Sequence, residues 1–166
     1  MGMQIRYGGL GDLPQILELT EELHQLHHQN RPDLYKPFDR EATARYFQMS
    51  AEDPDHIYLL AEEDGQALGY AHIIIRERKG SMVMTDRCTF LIEEIGVREG
   101  YRRRGIGQAL LTEVQCLAGI KGADAIELCV WAFNEDAAAF YRKAGFRVQR
   151  SILELTADTP QEAEIE

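Results

Sequence analysis

Residues 97–107, Val-Arg-Glu-Gly-Tyr-Arg-Arg-Arg-Gly-Ile-Gly, constrain this chain more than any other stretch. An apolar run over 88–97 leads straight into them. A helical pattern over 105–121 leads out, with Ile106, Leu110, Val114 and Leu117 on one face. A strand that turns through glycines into an amphipathic helix leaves the amides of the helix's first turn unpaired, and those N–H groups, with the helix dipole, favour an anion. Gly105 and Gly107 have no side chain, so a ligand can approach the main chain closely. Arg98, Arg102, Arg103 and Arg104 gather positive charge at this turn in a chain whose formal net charge is −10. The pattern points to a phosphate or pyrophosphate ligand; the alternative is a surface turn with a solvated charge run. Two nucleotide-binding patterns fail on spacing. GxxxxGK[ST] is absent, and Gly105-Ile106-Gly107 does not continue as GxGxxG, because Leu110 stands at the third glycine.

The rest of the chain supplies strands and helices around this unit. Residues 3–7 alternate as a short edge strand. Asp12 opens a helix to about residue 28, with Gln15 placed to complete a capping box. The proline-bearing stretch 30–38 is a loop, and Asp39 caps a second helix to about residue 49. Strands over 56–62 and 66–75 are joined by Asp64-Gly65, a hairpin turn. The polar arm 76–87 reads as either strand or loop. Residues 125–131 form a near-continuous apolar strand with both faces buried, which puts Cys129 inside. A helix over 134–144 stops at Gly145, and 146–155 is the last strand. The order βααβββαβαβ is an α/β (α+β) architecture: a mixed sheet of six to seven strands flanked by about four helices. The strand–helix–strand unit over 88–131 pairs its strands in parallel. Residues 1–155 read as one domain, and the acidic tail 156–166 as solvated.

Charge and cysteine content exclude several function classes. An acidic chain is poorly suited to nucleic acid, whose binding rests on cationic neutralisation of phosphates, and well suited to a cationic amine. No stretch is apolar for long enough to span a bilayer, the first residues lack a signal-peptide core, and Arg6 stands where a myristoylation site has Ser or Thr. Cys88, Cys116 and Cys129 form no CxxC pair. The expectation is a cytoplasmic protein with neither nucleic-acid nor membrane partner. His24 and His28 stand four apart on the first helix, but without HExxH or a third ligand the expectation is no metal.

Three segments together resemble the GNAT (GCN5-related N-acetyltransferase) superfamily. Arg102-Arg103-Arg104-Gly105-Ile106-Gly107 matches its R/Q-x-x-G-x-G/A signature. Residues 92–97, Ile-Glu-Glu-Ile-Gly-Val, look like its fourth strand, and residues 134–146 look like its N-to-Y-x-x-x-G-F segment. The resemblance implies acetyl-CoA as cosubstrate. It implies that backbone amides from Arg103 to Gln108, Ile106 among them, hold the pyrophosphate beside Arg102 and Arg104. It implies further that Ile95, Gly96 and Val97 run along the pantetheine arm like an added strand, and that Asn134, also a good helix cap, touches that arm. The fourth and fifth strands must then splay apart.

In direct acetyl transfer the protein positions two reactants, takes a proton from the amine and protonates or stabilises the leaving thiolate. Tyr141 is the family-implied acid; its alternative reading is a packed core aromatic. Glu93 and Glu94 are the candidate bases, with Glu93 preferred. Strand alternation sends them to opposite faces, and burial would raise the pKa of the one facing the cleft. The alternative is a pair of solvated acids or a salt bridge. Tyr35, Phe38 and the arm 76–87 are candidates to edge the acceptor site. The expected partner is a small-molecule, peptide or protein amine, and a homodimer is possible. The reading from a different class is a non-catalytic acyl-CoA sensor, and a third is transfer of a longer acyl group.

Overall fold

A computed structural model describes residues 2–157. They form two compact units, which divide between Cys129 and Val130. In the first unit the strands β1 (Gln4–Tyr7), β2 (His56–Glu63), β3 (Gln66–Arg78), β4 (Arg87–Val97) and β5 (Ala125–Leu128) make one sheet in the order β1-β2-β3-β4-β5. The first four pair antiparallel, and β4–β5 is parallel across the crossover helix α3 (Ile106–Ile120). Before β2 come α1 (Leu13–Asn30) and α2 (Arg40–Ser50). The second unit contains α4 (Glu135–Lys143).

Alternation along the strands divides the core into two layers. Tyr58, Leu60 and Tyr70 meet Ile16 and Leu19 of α1 and Phe47 of α2 in one buried cluster. On the opposite face a Cβ at Gly69 would fall 3.0 Å from Ile106 Cγ2 and 3.4 Å from Leu110 Cδ1, which places α3 there. Ile106, Leu110, Leu111, Val114 and Leu117 of α3 are buried, one helical stripe as the spacing requires. The β2–β3 turn has positive φ at both Asp64 (50°) and Gly65 (79°), the hairpin conformation expected of that pair.

Two bulges interrupt the ladders. Ala61 pairs with Gly69 and Glu62 with Ala67, leaving Leu68 as the extra residue of β3. His72 pairs with Glu94 and Ile73 with Ile92, leaving Glu93 as the extra residue of β4.

Several expectations need correction. The sheet has five strands among the described residues, because 146–155 forms no strand. β5 ends at Leu128 rather than 131 and is half-buried along its length, and Cys129 is exposed. Asp12 stands at the N-cap of α1, but its side chain accepts from no amide of that helix. Its carboxylate is taken by the Arg6 guanidinium, at 2.8 and 3.0 Å, and by the Gly9 amide at 2.8 Å. Gln15 completes no capping box either; its Oε1 accepts from the Ala67 amide at 2.6 Å and ties α1 to the start of β3. The arm 76–87 divides between β3, which runs to Arg78, and β4, which starts at Arg87. The solvated-tail expectation falls largely on 158–166, outside the described residues.

Candidate active site

At the end of β4 the chain turns through Gly100 (φ 84°), Arg103 (φ 65°) and Gly105 (φ 81°) before α3 begins. These three left-handed residues fold the turn back on itself, a conformation natural to glycine and uncommon for arginine. The first helical bond is donated by Ala109 to the Gly105 carbonyl at 2.9 Å, so the amides ahead of it have no acceptor within the helix. Nothing lies within 4 Å of a Cβ built on Gly105, so the main chain there is open to a ligand.

The arginines divide the labour. Arg98 braces the turn, donating to the Ala67 carbonyl at 3.1 Å and to Glu18 at 3.0 Å. Arg102 donates to the Val97 carbonyl at 3.3 Å. Arg104 lies over the Tyr101 ring and 3.6 Å from Glu63. Arg103 is exposed.

Beside this turn the sheet opens. The β4–β5 ladder stops at Ile92–Leu128, at the Glu93 bulge, and residues 93–97 of β4 run on with no β5 partner. An extra residue bends and twists its strand, and this one stands at the register where the β4–β5 pairing ends and β5 itself stops. Ile95, Gly96 and Val97 lie on this open edge, half-buried. Gly96 also lets the buried Tyr70 ring approach: a Cβ there would stand 3.2 Å from that ring, which would have to give way.

Beneath α1 and α2 lies a cleft of about 110 Å³. α1 lines it with Ile16 and Thr20, α2 with Thr43, Tyr46 and Phe47, and the sheet with Tyr58, His72, Glu93 and Glu94. Both acids thus line one cleft, correcting the expectation that alternation parts them; the bulge breaks the alternation between them. Glu93 is exposed and Glu94 half-buried. The Tyr70 hydroxyl donates to Glu94 Oε2 at 2.7 Å. Burial pushes the Glu94 carboxyl above the ordinary carboxylate range, with the Tyr70 hydroxyl opposing and the Glu93 charge reinforcing. Tyr58, Tyr70 and Tyr46 are all raised, burial first in each case, so all three stay protonated. His72 is 1% exposed, stacked flat on Tyr58 with centroids 4.2 Å apart, and burial pushes its pKa down to about 3.

In the second unit Asn134 caps α4, accepting from the Ala137 amide at 3.2 Å. Tyr141 is packed against Phe140 and Phe146, and burial raises its phenol to about 12. An open hollow of about 560 Å³ within this unit is lined by Trp131, Glu135, Asp136 and Arg142 among others. The cleft under α1 and α2 is the better candidate for chemistry.

The structure brings Glu93, Glu94, the open edge and the arginine- and glycine-bearing turn before α3 together on β4 and its continuation. It does not bring Tyr35 and Phe38 into the cleft lining. Their rings pack against His27 and His24, while His24 and His28 bond the carbonyls of Lys36 and Tyr35 at 2.7 and 2.6 Å. Those histidines hold the proline-bearing loop, and no group of three or more potential metal ligands occurs among the described residues. Thr20, Tyr46, Tyr58, Tyr70 and His72 were missed. Each belongs to an ordinary amphipathic pattern, and only their convergence marks them.

The family model described as the Acetyltransferase (GNAT) family matches residues 21–146. The chain belongs to the GNAT family of acetyltransferases. A relative of this GNAT chain is L-ornithine N5-acetyltransferase NATA1 of Arabidopsis thaliana, 31% identical over 66% of this chain. The match spans 48% of the plant protein, about half its length. N-alpha-acetyltransferase of Sulfurisphaera tokodaii is 29% identical over 68% of this chain and 70% of its own. Among solved structures, a mutant of the BH1408 protein from Bacillus halodurans superposes with a TM-score of 0.89 at 26% identity, over 92% of this chain and 98% of that one. No helix among the described residues is long and apolar enough to cross a membrane.

Proposed function

We propose that this GNAT chain transfers the acetyl group of acetyl-CoA to the primary amine of a compact, cationic acceptor. The observation that carries the reading is the end of the β4–β5 ladder at Ile92–Leu128, which leaves residues 93–97 as a free strand edge leading into the open amides of the α3 turn. The two amides of pantetheine match such an edge, and a diphosphate matches helix-start amides. Ile95, Gly96 and Val97 are assigned to the arm. Arg102, Arg103, Arg104, Gly105, Ile106, Gly107 and Gln108 are assigned to the diphosphate, and Asn134 is carried from the family to the arm.

The acceptor is assigned to the cleft under α1 and α2. Two carboxylates in the lining attract a cation, and about 110 Å³ suits a small group or the end of a side chain. The amine enters as an ammonium ion. Glu94, with its carboxyl raised by burial, is the base that takes a proton from it, and Glu93 at the mouth supplies negative charge. The neutral nitrogen attacks the thioester carbonyl; the C–N bond forms, the C–S bond breaks, and a second nitrogen proton offsets the one the thiolate needs. Tyr141, protonated up to about pH 12, is the family-derived donor to that thiolate. Positioning supplies most of the acceleration, and acid–base help a further factor of about 10²–10⁴.

The plant relative's name points to a free diamino acid and the archaeal relative's to an α-amine; the cleft's size and acidity favour the first. Thiol release from acetyl-CoA, followed across L-ornithine, putrescine, an aminoglycoside and a peptide with a free N-terminus, tests the reading. Turnover is expected, strongest with the small diamines. Tight acetyl-CoA binding without release for any amine would instead identify an acyl-CoA sensor.

A further inference from the structure

The reaction liberates one more proton than it consumes, since an ammonium ion and a thioester become a neutral amide and a thiol. The base that receives that proton lies in a cleft covered by two helices and must hand it to solvent before the next turnover. A route is built into β2 and β3. His72 lines the cleft and is 1% exposed. Its Nε2 lies 2.8 Å from His56 Nδ1, the rings 5.1 Å apart and 25° from parallel. His56 stands at the first residue of β2 and is half-exposed. His72 also pairs across the ladders with Tyr58 on one side and Glu94 on the other.

Resting on the acetyl-transfer reading, we propose that the His72–His56 pair is a proton exit that carries the acceptor's surplus proton from the cleft to water. The bond between the two ring nitrogens needs one N–H and one bare nitrogen. With His72 donating, His72 Nδ1 accepts a proton from the cleft while Nε2–H passes its own to His56 Nδ1, and His56 Nε2–H is released to solvent. One proton enters and one leaves, and no charge accumulates on His72. Burial keeps that ring neutral at working pH, so it relays rather than stores the proton.

The titratable groups around the pair come from each packed element. α2 supplies Tyr46, its ring steeply inclined to both imidazoles with centroids 6.0 and 6.3 Å away; β2 supplies Tyr58; β4 supplies Glu93 and Glu94; and His24 of α1 acts on Glu94 through its charge. The tyrosines remain protonated, which leaves the carboxylates as sources and His56 as the outlet.

The test compares His56→Gln and His56→Ala with the wild-type protein in the acetyl-transfer assay, with melting temperature and acetyl-CoA affinity measured alongside. Gln can still hydrogen-bond His72 but cannot relay a proton. Both variants should keep the wild-type melting temperature and acetyl-CoA affinity and lose kcat by on the order of tenfold or more. Added imidazole should restore the Ala variant in proportion to its concentration. Wild-type kcat in His56→Gln, or no recovery of His56→Ala with imidazole, overturns the relay and leaves acetyl transfer standing. A wild-type protein that acetylates no amine overturns both.

Discussion

Glu94 is the residue whose environment departs furthest from what its neighbours in sequence announce. Two adjacent acids in an apolar strand mark a site, but strict alternation assigns them to opposite faces, and exposure alone does not choose between them. The Glu93 bulge brings both to one cleft, and the Tyr70 hydroxyl at 2.7 Å singles out Glu94. Burial favours its protonated form, so activity at limiting amine should rise with pH through an ionisation above the ordinary carboxylate range, as the carboxylate base forms. Glu94→Gln should abolish that ionisation and lower kcat by about 10²-fold or more; an unchanged pH–rate curve would remove Glu94 as the base. His72 was illegible for a related reason. Counting outward from the Asp64-Gly65 turn without a bulge sets Ala71 opposite Tyr58. The extra residue at Leu68 moves His72 into that place and onto the cleft face.

At the scale of elements, the helices and the hairpin were legible because their signals are local: periodic apolar residues, Asp39 accepting from the Ala42 amide, and positive φ at Asp64 and Gly65. The strand pairings that open the site were not, because they depend on where a ladder ends. Gly69 shows how closely those elements are fitted. A Cβ there would stand 2.9 Å from the Gly96 carbonyl oxygen and 3.0 Å from Ile106 Cγ2, with β4 on one side and α3 on the other. Neither neighbour is a flexible side-chain end free to move aside. Gly69→Val should cost about 2–3 kcal/mol, read as a lower denaturation midpoint in urea, and should weaken acetyl-CoA binding by displacing the turn. Wild-type stability would mean that β3 and α3 yield more readily than their packing implies.

For the whole molecule, a strand edge left open at a bulge and a helix start left open by glycines lie in one continuous stretch of chain, residues 93–108. The order of elements as far as α4 and the strand–turn–helix unit over 88–120 could be read from residue patterns, and the GNAT family model covers most of the same residues. The strand expected over 146–155 fails for lack of any ladder among the described residues, since alternation marks a segment able to pair and does not supply its partner. The most direct measurement is a crystal structure with acetyl-CoA bound. The expected result is a diphosphate accepting hydrogen bonds from amides between Arg103 and Gln108, with pantetheine lying along residues 93–97. A coenzyme bound elsewhere, with that edge and that turn empty, would contradict it.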